Sequence, residues 1–101
     1  MHPYVRERLP QLINLCRKYH VKRLDLFGSG TGERFDPARS DLDFLVEYLP
    51  EAGFSMKAYF DFKRELKDLF RRDVNFVEST AVRNRYFREE LDETKELLYA
   101  A

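Results

Sequence analysis

Residues Leu26 to Val46 read LFGSGTGERFDPARSDLDFLV, and this stretch decides the fold. The segment before it, Val21 to Phe27 (VKRLDLF), alternates apolar and polar residues and runs into Gly28, the pattern of a strand ending in a turn. GSGTGERFDPARS is rich in Gly, Ser and Pro and predicts a loop. The chain returns at Asp41-Leu42-Asp43 and becomes continuously apolar through Phe44, Leu45 and Val46, which predicts a second strand over 41–48, closed by Leu49-Pro50. Residues i and i+2 of a strand point to one side, so Asp41 and Asp43 project together while Leu42 turns to the core.

That pairing has a chemical consequence. Two crowded carboxylates repel, and a cation relieves the repulsion. A hard divalent ion such as Mg²⁺ accepts carboxylate oxygens and keeps positions open for phosphate oxygens and water. At the other end of the loop, Gly28 permits close approach of a ligand and Ser29 offers a hydroxyl. The amides that follow can form an anion-binding nest. A Gly-Ser turn facing an Asp-x-Asp strand thus predicts a site for phosphate and metal. The loop is not a Walker A motif, since no Gly-Lys-Ser/Thr follows the glycines. Nor does it open a helix with G-x-G-x-x-G. Either half alone is unremarkable: Asp at a strand start is usually solvated, and Gly-Ser turns are common.

Working outward, Val5, Leu9, Leu12, Ile13 and Cys16 recur at helical spacing and predict an amphipathic helix over about residues 3–20. A second helix is predicted over 54–70, with Tyr59, Phe62, Leu66, Leu69 and Phe70 on one stripe. Asp73 to Val77 reads as a third strand. Ser79 or Thr80 is the expected N-cap of a last helix carrying Val82, Tyr86, Phe87, Leu91, Thr94 and Leu98. The order α-β-β-α-β-α predicts an α+β fold, a small mixed sheet with helices mainly on one face.

The 101 residues fit a single domain spanning 1–101. Eighteen Lys and Arg balance eighteen Asp and Glu, which argues against passive binding to nucleic acid or anionic lipid. No apolar run approaches a membrane span or a signal peptide, so a soluble cytoplasmic protein is expected. The single Cys16 excludes an internal disulfide and sits on the first helix's apolar stripe as an inert thiol. His2 and His20 lack any ligand spacing and are expected at the surface. Without a supporting His, Ser29 is a phosphate contact and not a nucleophile. Arg83, Arg85 and Arg88 alternate with acids, as on a solvated helix face. Nine Phe and six Tyr exceed what one small core holds, so some of Tyr4, Tyr19, Tyr48, Phe54, Tyr59 and Phe60 should mark a partner surface.

The residues resemble the nucleotidyltransferase superfamily that includes DNA polymerase beta and kanamycin nucleotidyltransferase, and most closely its minimal stand-alone members, the MNT proteins. Gly28-Ser29 and Ser40-Asp41-Leu42-Asp43 match the family pattern as they stand. Phe35-Asp36-Pro37, Arg39, Arg72 to Val77, Arg83 to Phe87 and the ending Leu97 to Ala101 are also similar. The resemblance implies a polymerase beta palm-like core. It further implies transfer of a nucleoside monophosphate, AMP from ATP or another NTP, to an acceptor hydroxyl. Carried onto this chain, Asp41 and Asp43 would ligate Mg²⁺ or Mn²⁺, and Gly28 and Ser29 would contact the triphosphate. The implied partner is a HEPN-domain toxin, with the MNT protein as antitoxin; a homo-oligomer is compatible with this, and no nucleic acid or membrane is expected.

Two positions depart from the family pattern. Asn75 stands at the third catalytic position, where the family has a carboxylate. An amide brings no charge and cannot act as a base. Asp73 shares the strand face of Asn75 about 7 Å away, whereas Glu78 has the opposite parity. The loop Gly28 to Gly32 is also one residue shorter than the commoner family spacing, with its basic residue replaced or displaced to Arg34. The competing expectation is therefore a module that binds nucleotide and partner without catalysis.

Overall fold

The computed structural model describes residues 2–31, 36, 38–53 and 55–101; the side chains of Ser29 and Ala52 fall outside that description. The expected loop features at Arg34, Phe35 and Pro37, and the aromatic Phe54, lie outside the described residues. Two helices, α1 (Pro3–Arg6) and α2 (Leu9–Lys18), precede β1 (Val21–Phe27). A 3₁₀ turn, Gly28–Thr31, follows β1, and β2 covers Leu42–Tyr48. Then come α3 (Met56–Phe70), β3 (Val74–Glu78), α4 (Arg85–Thr94) and β4 (Glu96–Ala100). The four strands form one mixed sheet in the order β3-β2-β1-β4. β1 is antiparallel to both β2 and β4, and α3 carries the chain from β2 to its parallel neighbour β3.

Three expectations need correction. The helix predicted over 3–20 is broken at Glu7 and Arg8. Pro10, in the first turn of α2, has no N–H to donate, and its ring would strike the carbonyl of residue 6 in a continuous helix. The last helix does not start at Ser79 or Thr80, which form a short 3₁₀ turn; Asn84 caps it, its side chain accepting from the Phe87 amide at 3.0 Å. That helix stops at Thr94, and the chain adds a strand that the order α-β-β-α-β-α lacked. Leu91 and Leu98 stand two helical turns apart, so the period suits a helix; with Leu98 buried in β4 it suits a strand equally well. The free edge of β1 decides between them, because β4 pairs with it.

The main core lies on one sheet face. Leu24 and Leu26 of β1, Leu42, Phe44 and Val46 of β2, and Val74 and Leu98 pack against Val5, Leu12, Cys16, Phe62, Leu66 and Phe70. Phe44 and Phe62 both contact the Phe76 ring, at centroid distances of 6.1 and 5.3 Å. Burial pushes the Cys16 thiol up to about 12, which makes it inert as expected. Phe44→Ala should cost about 3–5 kcal/mol, the range for emptying a buried aromatic site. Urea unfolding checks this, as a lower midpoint with an unchanged slope.

The opposite face is thinner. Leu45 and Leu91 are buried there, apart from the main cluster. Asp92 of α4 acts electrostatically on Arg23 of β1, consistent with α4 lying across this face. Tyr86 and Phe87, which follow the helical period of the last helix, are exposed, Tyr86 at 82%. Among the described residues no helix is long and apolar enough to cross a membrane.

Candidate active site

The alternation that sends Leu42 and Phe44 into the core sends Asp43 to the opposite face. Register then determines its neighbours. Asp43 lies opposite Phe27 of β1 and Asn75 of β3. The Asn75 side chain meets it, Nδ2 donating to Asp43 Oδ1 at 2.9 Å. The other carboxylate oxygen lies against Gly28. That residue has φ +73°, a conformation unfavourable for any side-chain-bearing residue, and a Cβ there would sit 2.6 Å from Asp43 Oδ2. Glycine at position 28 is thus required twice, by the turn and by the carboxylate it receives.

Asp41 is exposed and immediately precedes β2. The ladder to β3 reaches as far as the Leu42 amide, which donates to the Asp73 carbonyl at 3.2 Å. Asp41 stands two residues before Asp43, about 7 Å along an extended chain. The loop before it is held by its own polar groups. The Asp36 carboxylate accepts from the Ala38 amide at 2.8 Å, and the Ser40 hydroxyl accepts from the Asp36 amide at 3.0 Å. In the turn after β1, the Thr31 hydroxyl donates to the Gly28 carbonyl at 2.8 Å. The Ser29 backbone belongs to that turn; its side chain lies outside the described residues.

The structure therefore brings Gly28, Asp43 and Asn75 into contact, with Asp41 two residues ahead of Asp43 in the chain. It does not recruit Asp73. That carboxylate is exposed and paired with Lys67 Nζ at 3.0 Å, so it stands committed to α3. Among the described residues no three His, Cys, Asp or Glu side chains gather into a metal-binding group. The donor set is two carboxylates and an amide, hard oxygen chemistry that suits Mg²⁺ or Mn²⁺ and not a soft metal. The backbone at Gly28 passes so close to the Asp43 carboxylate that any side chain at position 28 would collide with it.

Sequence reading missed Asp25. It is the one buried charged residue among the described residues, on the same face as Asp43 and two residues before Phe27. Arg23 grips it with two hydrogen bonds of 2.9 and 3.1 Å, and these hydrogen bonds push the guanidinium further up. Between Leu24 and Leu26 it looks like the solvent side of a half-buried strand, yet it is buried beneath the Arg23 guanidinium. His2 caps α1, its Nδ1 accepting from the Tyr4 amide at 3.1 Å. Arg85 and Arg88 pair with Glu89 and Asp92, as a solvated helix face would.

A second recess of about 930 Å³ lies at the far end of β2, lined by Tyr19, Tyr48, Met56, Tyr59 and Phe76 among others. Tyr19, Tyr48 and Tyr59 thus line a hollow and do not form a flat patch. The Tyr48 hydroxyl is buried with no hydrogen-bond partner among the described residues, and burial pushes it up to about 12.

The nucleotidyltransferase domain profile matches residues 9–98. The chain belongs to the nucleotidyltransferase domain family. No curated protein matches it. Among solved structures, it is similar to one assigned as a minimal nucleotidyltransferase, at 24% identity and TM-score 0.74 over 91% of this chain and 90% of that one. It is similar to a chain of a toxin–antitoxin crystal structure with AMP-PNP, at 19% identity and TM-score 0.69, covering 92% of this chain and 73% of the other. It also resembles a chain of the tri-AMPylated Shewanella oneidensis HEPN toxin in complex with MNT antitoxin, at 16% identity and TM-score 0.66, covering 95% and 72%. These likenesses show a nucleotidyltransferase fold.

Proposed function

We propose that this nucleotidyltransferase domain transfers AMP from ATP to a hydroxyl on a HEPN-type partner in the cytoplasm, as the antitoxin of a two-component pair. The observation that carries the reading is the convergence of Gly28, Asp43 and Asn75, with Asp41 two residues before Asp43 in the sequence. Neighbours of the same fold, one from a toxin–antitoxin structure with AMP-PNP and one from a complex of an AMPylated HEPN toxin with MNT antitoxin, support the nucleotide and the partner.

In this reaction the acceptor oxygen forms a bond to the α-phosphorus. The bond from that phosphorus to the bridging oxygen breaks, and pyrophosphate leaves. The hydroxyl proton passes to water, because Asn75 has no basic atom to take it. A divalent cation bound by Asp41 and Asp43 would draw off negative charge from the phosphates. Gly28 keeps the wall beside Asp43 low, and the Ser29 hydroxyl would meet the triphosphate.

The partner reading has surface support. Met56 and Phe60, one turn apart on α3, are each 56% exposed, and Tyr86, Phe87 and Leu97 add exposed apolar area. Exposed apolar side chains of this kind fit an interface burying roughly 1,200–2,000 Å². A second reading, binding without transfer, is favoured by one observation: Asn75 hydrogen-bonds Asp43 in place of a third anion.

Calorimetric titration of ATP with Mg²⁺ tests the site. Binding should be measurable with wild type and lost in the Asp41→Asn/Asp43→Asn double variant. Equal binding by both would remove the site.

A further inference from the structure

We infer that Arg72 is the positioning residue for Asp41, acting on the peptide groups that flank it; the inference rests on the metal-binding reading of Asp41 above. Asp41 lies outside β2, so strand pairing alone does not hold it. Its two peptide groups are nevertheless tied to adjacent residues of the chain. On one side, Arg72 Nη1 donates to the Ser40 carbonyl at 2.9 Å. On the other, the Asp73 carbonyl accepts the Leu42 amide at 3.2 Å. Fixing the plane on each side of one Cα fixes the direction in which its side chain leaves the backbone.

Arg72 is itself anchored. Its Nε donates to the Phe70 carbonyl at 3.0 Å, one of the carbonyls that the end of α3 leaves without a helical partner. The Tyr4 hydroxyl donates to the same carbonyl, and the guanidinium lies 4.4 Å from the centroid of the Tyr4 ring. The planar fork thus bridges the end of α3 to the start of β2, braced by α1. Lysine would keep the charge but could not hold both carbonyls in this geometry. None of these contacts touches substrate, so Arg72 acts through Asp41.

The test uses the full chain as Arg72→Lys and Arg72→Ala, each alone and combined with Asp41→Asn, with Arg72→Ala/Asp43→Asn as a contrast. Mn²⁺ affinity is read by electron paramagnetic resonance with a non-hydrolysable ATP analogue. Amide hydrogen exchange at Leu42 is read without metal, against the β1 amides as a control for global stability. Both single variants should bind Mn²⁺ about 10–100-fold more weakly, the usual loss for residues that orient ligands. Lysine should not rescue. In the Asp41→Asn background the further loss should stay below about threefold, while with Asp43→Asn it should remain in full. Leu42 should exchange faster than the β1 amides do.

Wild-type affinity in a folded Arg72→Lys protein overturns the inference, as does full additivity with Asp41→Asn. If the wild type binds no Mn²⁺ with the analogue, it is the metal-binding reading that fails. Leu42 exchange then decides the clamp alone, and unchanged exchange in the folded variants overturns it.

Discussion

Asn75→Asp is expected to transfer nucleotide about 10²–10⁴-fold faster than wild type, the range for restoring a base or an electrostatic group at a reacting centre. The register of β2 and β3 sets Asn75 opposite Asp43, and the 2.9 Å hydrogen bond shows that the side chains meet. A carboxylate in that place would add negative charge where the acceptor hydroxyl loses its proton. The same substitution has an opposite effect on the empty site. It removes the donor to Asp43 and leaves two anions in contact, at a cost of about 1–3 kcal/mol. In a domain of this size each kcal/mol lowers the melting temperature by about 4–8 °C. The variant should therefore melt below wild type in chelator and regain that loss in Mn²⁺, while wild type responds less. Transfer rates and paired melting curves check both halves. An unchanged rate together with metal-independent melting would show that position 75 plays no part in the site.

Gly28→Ala should reduce transfer by about 10²-fold, the usual result of displacing a reacting group by about 1 Å. Its Cβ would enter at 2.6 Å from Asp43 Oδ2, and its φ of +73° adds backbone strain of about 1–2 kcal/mol. Asp43 is short and held by Asn75, so it cannot swing aside without losing that bond. Ser29→Ala offers the comparison, since it alters the neighbouring side chain without burdening the turn. Steady-state kinetics on folded Gly28→Ala protein should show the loss mainly in kcat. A loss of stability with kcat intact would mean that Gly28 serves the turn alone.

The sequence carried these two residues legibly because their roles are local. Gly28 follows an alternating strand, Asp43 begins another, and parity within one strand sets which face each side chain takes. The sequence was less informative where the answer depended on distant partners. The break ahead of Pro10 was foreseeable from proline chemistry, but the apolar spacing of Val5, Leu9 and Leu12 runs straight through it. Leu98 fits a helix stripe and a strand alternation equally, and only the unpaired edge of β1 chooses. Asp25 looks solvent-facing by its spacing, yet the fold buries it against Arg23. Arg72 resembles any cation at a helix end until the fold brings Ser40 within reach. By spacing alone, Asp41 and Asp43 form a pair of mutually crowded carboxylates. The fold instead gives Asp43 an amide partner, which eases the repulsion that argued for a cation.

The most direct measurement incubates the chain with α-labelled ATP, Mg²⁺ and a HEPN-domain protein encoded beside it, and follows covalent label on that partner. The account predicts label on a partner hydroxyl from wild type, more from Asn75→Asp, and none from Asp41→Asn/Asp43→Asn. A partner that is neutralised yet never labelled by wild type or by Asn75→Asp would contradict it.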